Sequence, residues 1–195
     1  MSGGRATSAG AGPHRVRTER LELRPYLPDD LDVVIERLVL DPQVIRFWHA
    51  YADPTLPVEV RREMGRHEFG DWFGRALDAG LPVWILEAAD PTLAPAGTFV
   101  GVAGILPPDS ELGDEPEIGY MLDSDFHGRG LATEAVLAMV ADAFGRRGIP
   151  RLAAVVDAPN VASIRVLEKA GFRLEREYVG TDGHPYRRYL ADHPG

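Results

Sequence analysis

The chain has 195 residues and a formal net charge of −9 at pH 7, which argues against a nucleic-acid partner because a phosphate backbone requires a basic face. Its hydrophobic fraction of 45% and charged fraction of 26% are typical of one globular domain with a buried core. Without cysteine or any run of 18 apolar residues, we expect a cytoplasmic protein, monomer or homodimer, that does not bind a membrane.

The first half of the chain predicts a leader, one strand and two helices. Residues 1–15 have no apolar signal segment, and we interpret them as a disordered leader before a single domain, residues 16–195. Polar and apolar residues alternate over 20–24, which is the period of a half-buried strand. Helices are predicted over 31–40 and 57–80, and the second carries an apolar stripe that we assign to the core: Phe69, Trp72, Phe73 and Ala76. The aromatic cluster at 47–51 either packs in the core or lines a pocket.

The second half predicts six strands and two helices. Residues 83–86 and 98–106 form an antiparallel hairpin, and 117–122 is the next strand. A glycine loop leads into a helix that ends near residue 144 and has a predicted buried stripe of Leu137, Val140, Ala141 and Phe144. A strand at 152–156, a helix from Asn160 to residue 170 and two closing strands follow. The fold class is therefore α/β (α+β), a single domain whose mixed twisted sheet of about six or seven strands has about four helices on its faces.

The glycine loop is the first candidate functional element. A strand, a glycine-bearing loop and a helix start together present free backbone N–H groups to a phosphate. Alone the loop is weak evidence for a phosphate site, because Gly128 and Gly130 also suit a tight turn. The chain lacks the P-loop pattern, and the dinucleotide pattern is missing its third glycine.

A second motif makes the loop more informative. The loop and helix start read Gly128-x-Gly130-x-Ala132-Thr133-Glu134-Ala135, and the later helix reads Asn160-x-x-Ser163-x-x-Val166-Leu167-Glu168-Lys169-x-Gly171-Phe172. With the strand at 117–122, these motifs resemble the GNAT superfamily of acyl-CoA N-acyltransferases, in particular the RimJ/RimL branch of ribosomal-protein N-terminal acetyltransferases. The resemblance implies a GNAT-like domain that transfers an acetyl group from acetyl-CoA to a primary amine by direct attack on the thioester.

The resemblance also implies which residues bind acetyl-CoA. Its pyrophosphate would accept hydrogen bonds from a run of backbone N–H groups, those of Arg129, Gly130, Leu131, Ala132 and Thr133. Its pantetheine arm would run beside Met121, Leu122 and Asp123 and bond the amide of Asn160, which alternatively caps its helix. The sequence departs from the family at two positions. His127 replaces the usual Gln or Arg, and Leu167 replaces a Tyr that protonates the leaving thiolate in many members.

The chemistry requires a base for the amine and an acid for the thiolate. Glu117 is the candidate base, because some members of the family use a carboxylate at the matching place; a solvated strand-end acid is the alternative. Ser163 is the candidate acid, with helix capping as its alternative, and Tyr120 is a weaker candidate. No two histidines stand at metal-ligand spacing, so no metal is expected.

The charge distribution bears on the acceptor. Residues 1–125 hold 11 basic and 22 acidic residues, whereas residues 126–195 hold 10 basic and 8 acidic residues. This asymmetry fits a cationic acceptor opposite an anionic cofactor, or simply solvated helix faces. A protein N-terminus, a polyamine, an aminoglycoside and a small metabolite all remain open as acceptors. Two other functions also remain open, a non-catalytic acyl-CoA-binding or regulatory GNAT domain and a generic phosphate-binding domain.

Overall fold

The structure, a computed structural model, describes residues 14–48, 53, 55–109 and 112–195. Most of the predicted leader and residues 49–51 of the aromatic cluster lie outside the described residues. Within the described part, the backbone carbonyl of His14 accepts a hydrogen bond from the indole N–H of Trp84 at 3.1 Å. The proposed start of the domain at residue 16 stays a prediction.

The described residues form one mixed sheet of eight strands in the order β1-β2-β3-β4-β5-β6-β8-β7. The strands are β1 (Val16–Arg17), β2 (Leu21–Pro25), β3 (Val83–Ala88), β4 (Phe99–Leu106), β5 (Glu117–Leu122), β6 (Arg151–Asp157), β7 (Arg173–Val179) and β8 (Pro185–Asp192). Neighbouring strands are antiparallel except for the parallel pair β5 and β6. The predicted mixed sheet and the hairpin of β3 and β4 are confirmed. The additional strand, β1, has two residues and is too short to show an alternating pattern.

Five α-helices cover the two faces of the sheet within the described chain. They are α1 (Leu31–Val34), α2 (Pro42–Ile45), α3 (Val58–Asp78), α4 (Leu131–Ala141) and α5 (Val161–Lys169). π-Helical turns, Ile35–Val39 and Asp142–Arg146, continue α1 and α4. No helix among the described residues has both the length and the apolar character needed to cross a bilayer.

Two hydrophobic cores lie on opposite faces of the sheet, because the side chains of a strand alternate between its faces. In β3, Trp84 and Leu86 belong to the core beneath α4 and α5, whereas Val83 and Ile85 belong to the core beneath α1 and α3. We call these the α4/α5 face and the α3 face.

The predicted stripe on α4 is partly wrong. Leu137 is 47% exposed, and Ala141 is exposed too. The residues that face the core in this helix and its π-turn are instead Leu131, Ala135, Val136, Met139, Ala143 and Phe144. The helix is apolar on nearly every side, so its sequence periodicity does not determine which side is buried. Phe144 is the one member of the predicted stripe that is buried.

Candidate active site

The central feature of the site is a gap between two neighbouring strands. β5 pairs with β4 along its whole length, from Glu117 opposite Leu106 to Leu122 opposite Gly101. Along the fully described strands β5 and β6, parallel pairing is confined to Glu117 opposite Ala153. The strands diverge beyond this point, so the backbone groups of β5 that face away from β4 are exposed to a cleft. The cleft has a volume of about 810 Å³.

The cleft has walls on both faces of the sheet. On the α4/α5 face it is lined by the glycine loop, the start of α4 and residues of α5. On the α3 face it is lined by Trp48 and Trp72, with Glu117 at the narrow end of the gap. Two substrates can therefore enter from opposite faces and meet between β5 and β6.

The glycine loop forms one end of the cleft. Gly128 and Gly130 have φ of 73° and 78°, a left-handed conformation that costs other residues about 1 kcal/mol or more. Gly130 is the N-cap of α4, and the first helical hydrogen bond runs from the N–H of Glu134 to the carbonyl of Gly130 at 3.2 Å. The N–H groups of Leu131, Ala132 and Thr133 precede it and have no carbonyl within the helix. These three residues line the cleft, so the positive end of the helix dipole meets any anion bound there.

A brace that the sequence analysis missed holds the loop in place. Arg20 donates from Nη1 to the carbonyl of Arg129 at 2.8 Å and from Nε to the Glu134 carboxylate at 2.8 Å. Thr18 also donates to Glu134 at 2.5 Å. Burial alone would raise the pKa of Glu134, but these hydrogen bonds lower it, so the carboxylate stays ionised. Glu134 thus fixes the start of α4 to the turn before β2, and only its place in the GNAT-like motif indicated a role.

Two predicted cofactor residues make contacts within the protein. Asp123 is buried, and its carboxylate accepts from Arg37 Nε at 2.5 Å and from the N–H of Asp125 at 3.0 Å. Its own N–H donates to the carbonyl of Val100 at 2.9 Å. The guanidinium of Arg129 lies over the ring of Phe126, 5.6 Å from its centre. The carboxylate of Asp123 is therefore engaged within the protein, whereas the exposed guanidinium of Arg129 keeps its N–H donors available beside the loop.

The middle of the cleft presents polar groups beside the free edge of β5. Met121, Leu122 and Asn160 all line it. The Oδ1 of Asn160 accepts from the N–H of Ser163 at 3.2 Å, which confirms the helix cap and directs the side-chain NH₂ away from that bond. His127 Nε2 lies 2.9 Å from the carbonyl oxygen of Leu122, so the histidine anchors the loop to the end of β5.

Glu117 is a partly buried carboxyl group at the first residue of β5. Burial raises its pKa to about 7, and the charge of Asp109 adds to this effect. A backbone hydrogen bond from Val155 and the charge of Arg188 act in the opposite direction. A carboxyl group with this pKa exchanges its proton near neutral pH, which is what a general base requires.

Two hydroxyl groups lie on the α4/α5 face. Tyr120 donates from its hydroxyl to the carbonyl of Ser163 at 3.4 Å, a long hydrogen bond, and burial raises the pKa of Tyr120 to about 12. Ser163 is partly buried and lines the cleft. Leu167, in the next turn of α5, is 2% exposed. The carboxyl group of Glu117 on the α3 face and the hydroxyl groups of Tyr120 and Ser163 on the α4/α5 face thus lie on opposite sides of the gap between β5 and β6.

The aromatic wall on the α3 face combines core and surface residues. Phe69, Phe73 and Ala76 are buried, which confirms the core assignment of the α3 stripe for these three residues. Trp72 is only partly buried and lines the cleft, together with Trp48 from the aromatic cluster. The spacing along α3 places all four residues on one side, but it does not show that the sheet opens beneath Trp72.

A metal centre is not evident in the part of the chain that the structure describes. There, no group of three or more His, Asp or Glu side chains is arranged to hold an ion.

Comparison with known proteins places the chain in a family. The family model described as "Acetyltransferase (GNAT) domain" matches residues 20–173. The chain belongs to the GNAT acetyltransferase family, a class of acyltransferase enzymes, and the resemblance seen in its motifs is confirmed.

Individual relatives extend over most of the chain. YkkB of Bacillus subtilis is 31% identical over 159 residues, which are 82% of this chain and 85% of YkkB. The N-acetyltransferase p20 of Bacillus licheniformis is 28% identical over 176 residues, which are 89% of this chain and 92% of p20. Among solved structures, RimL, a ribosomal L7/L12 alpha-N-protein acetyltransferase in complex with coenzyme A, has the same fold. It superposes with a TM-score of 0.68 at 17% identity, covering 92% of this chain and 98% of RimL.

Proposed function

We propose that the protein transfers an acetyl group from acetyl-CoA to a primary amine. One observation carries this proposal: the free N–H groups at the start of α4 and the carboxyl group of Glu117 lie in the same cleft, which passes through the sheet. An anionic cofactor and a basic acceptor can therefore approach each other from opposite faces. When bound, acetyl-CoA supplies an activated acetyl group in its thioester.

The residues present fit acetyl-CoA. The backbone N–H groups of residues 129–133 would bind the pyrophosphate, where charge-assisted hydrogen bonds are stronger than neutral ones. The exposed edge of β5, where the backbone of Leu122 faces away from β4, would bind the amide groups of the pantetheine arm beside Met121 and Leu122, as a neighbouring strand would. The side-chain NH₂ of Asn160 is directed away from its own cap, which supports a bond to the same arm. The backbone next to Asp123 completes this proposed path.

Glu117 would act as the general base. An alkylammonium has a pKa near 10, so it must lose a proton before its nitrogen can attack. A carboxylate with a pKa near 7 accepts that proton, directly or through water, far better than one with the usual value of 4.5. The position of Glu117 at the narrow end of the gap supports this role.

Ser163 would donate the proton that the departing thiolate takes up. It lines the cleft on the face that also carries the proposed phosphate site. The hydroxyl of Tyr120 is already engaged with the carbonyl of Ser163, which makes it the second candidate. A free backbone N–H of β5 near Met121 or Leu122 would stabilise the negative charge that develops on the carbonyl oxygen.

One observation favours a second candidate function, a non-catalytic acyl-CoA-binding or regulatory domain. Leu167 is a buried aliphatic residue at the position where many members of the family have a catalytic Tyr. A protein of this kind would bind CoA tightly and release no thiol with any amine.

A thiol-release assay with acetyl-CoA and a panel of amines separates these functions. The proposed enzyme releases free CoA in proportion to the amine consumed, and CoA raises its melting temperature. A raised melting temperature without thiol release would favour the regulatory domain. No effect of CoA on the melting temperature, together with no thiol release, would contradict both functions.

A further inference from the structure

We infer that the acceptor is a monoamine with an aromatic or other large apolar group beside its nitrogen, and that Trp72 recognises this group. The inference rests on the proposed function, because it assumes that the amine is deprotonated at Glu117. It selects among the acceptor classes that the sequence leaves open, and it assigns Trp72 as a specificity-determining residue.

The first observation is the contact between Trp72 and β5. Gly119 lies between Glu117 and Met121 on the same face of the strand. The indole of Trp72 packs so closely here that a Cβ on Gly119 would lie 2.8 Å from its Cη2 atom. Residues two apart on a strand are separated by about 7 Å. A group attached to an amine at Glu117 would therefore lie against the indole of Trp72.

The second observation is the apolar character of the wall around Trp72. The ring of Trp48 lies 5.7 Å from that of Trp72 at 68°, and the ring of Phe69 is packed beneath both. Phe69 is buried, whereas the two tryptophans are partly exposed and line the cleft. At the outer side, the guanidinium of Arg46 lies over the ring of Phe47 at 4.6 Å. Two indole surfaces, each bordering the cleft, form a contact site for a ring or a branched aliphatic group.

The third observation concerns charge. Among the described residues that line the cleft, the carboxylates are Glu117 and Asp157, and the side chains of fixed positive charge are Arg46, Arg165 and Lys169. Asp109 influences Glu117 electrostatically but is not part of this lining. A polyamine or an aminoglycoside needs a carboxylate for each of several ammonium groups, because an unpaired buried charge is costly. Because the three positive side chains outnumber the two carboxylates, this lining disfavours an acceptor with several positive charges and suits one with a single charge.

The acidic residues of the first half serve another purpose. Several of them pair with arginines of the protein itself, as Asp30 and Glu87 do with Arg24, and as Glu36 does with Arg62. Carboxylates held in such pairs are not available to a polycationic acceptor. The charge asymmetry in the sequence therefore does not require a polycationic acceptor.

The test compares amines at a saturating concentration of acetyl-CoA, with thiol release as the signal. The panel contains 2-phenylethylamine, n-propylamine, spermidine and kanamycin, together with the peptides Phe-Ala-Ala and Gly-Ala-Ala. We expect kcat/KM for 2-phenylethylamine to exceed that for n-propylamine roughly 10- to 100-fold, the effect of burying one aromatic ring. The peptide arm shows whether the apolar amine is a free molecule or the first residue of a chain.

The Trp72→Leu variant tests the assigned residue, and Leu77→Ala is its control on an exposed position of the same helix. We expect Trp72→Leu to reduce the preference for 2-phenylethylamine at least about fivefold, mainly by raising KM, and Leu77→Ala to leave it unchanged. A rise in melting temperature with CoA shows that the variant is folded. If the variant does not fold, the wild-type panel decides alone.

The inference is overturned if spermidine or kanamycin is acetylated as efficiently as 2-phenylethylamine, or if Trp72→Leu keeps the wild-type preference. These results would leave the proposed transfer reaction standing. An absence of thiol release with every amine would contradict the proposed function, and with it the inference.

Discussion

Replacing Glu117 by Gln should change how the stability of the protein depends on pH. The carboxyl group has a pKa of about 7 in the folded protein, against 4.5 for an ordinary glutamate. The folded state therefore binds a proton more tightly than the unfolded state between these two values. By linkage, the free energy of unfolding falls as pH rises through this window. The loss is complete above about pH 7 and absent below about pH 4.5.

The size of the effect follows from the same two values. Each pKa unit corresponds to about 1.4 kcal/mol, so the ionised carboxylate costs the fold about 3 kcal/mol at alkaline pH. Glutamine does not ionise, and its amide oxygen can still accept the backbone hydrogen bond from Val155. Relative to wild type, Glu117→Gln should therefore gain about 3 kcal/mol in unfolding free energy between pH 4.5 and pH 8.5.

Urea denaturation of both proteins at several pH values within this window measures the effect. Ser163→Ala is the matched control, because it alters the same cleft without removing a titratable group, and its stability should follow that of wild type with pH. A constant difference between Glu117→Gln and wild type at every pH would refute the argument that burial raises the pKa of Glu117.

Three further predictions concern the cofactor side of the cleft. Gly130→Ala and Gly128→Ala should each lower the free energy of unfolding by about 1 kcal/mol because both glycines have a left-handed φ. Calorimetric titration should show a larger loss of CoA affinity for Gly130→Ala than for Gly128→Ala. Equal CoA affinities of the two variants would exclude a close approach of phosphate at Gly130. Asn160→Asp should keep the cap of α5 and the stability of the protein but weaken CoA binding roughly tenfold. Asn160→Ala should weaken CoA binding too and also lower the free energy of unfolding by about 1 kcal/mol. Full CoA affinity in Asn160→Asp would mean that the side chain of Asn160 only caps the helix. Ser163→Ala should lower kcat about tenfold or more at unchanged CoA affinity. Tyr120→Phe should lower kcat less, because the hydroxyl of Tyr120 donates to the carbonyl of Ser163. A larger loss of kcat in Tyr120→Phe than in Ser163→Ala would make Tyr120 the acid.

Much of the fold follows from local signals in the sequence. The limits of β5, residues 117–122, are those that its apolar pattern predicts. The start of α5 is set by Asn160, whose side chain caps the helix through a bond to Ser163 only three residues away. Hairpins and helix caps depend on neighbouring residues, so a sequence pattern can identify them.

The parts of the site that the sequence did not reveal depend on contacts between distant segments. The brace from Arg20 to Glu134 joins residues 114 positions apart and leaves no periodic pattern. The exposure of Leu137 was hidden because α4 is apolar on nearly every side. The role of Trp72 depends on the gap between β5 and β6, which no property of α3 alone can indicate. The pKa of Glu117 is raised by burial, and the sequence does not show how deeply a strand end is buried.

The most direct test of the proposed function is the pH dependence of kcat/KM for an accepted amine, measured for wild type and Glu117→Gln. For wild type, the account predicts a rise through pH 7 as the carboxyl group of Glu117 becomes ionised. For Glu117→Gln we expect a loss of roughly 100-fold or more at pH 8 and unchanged CoA affinity; the residual rate should rise with pH only as free amine forms, without the levelling above pH 7 that a titrating base gives. Turnover that equals wild type, with the same pH profile, would contradict the role of Glu117 and with it the proposed mechanism.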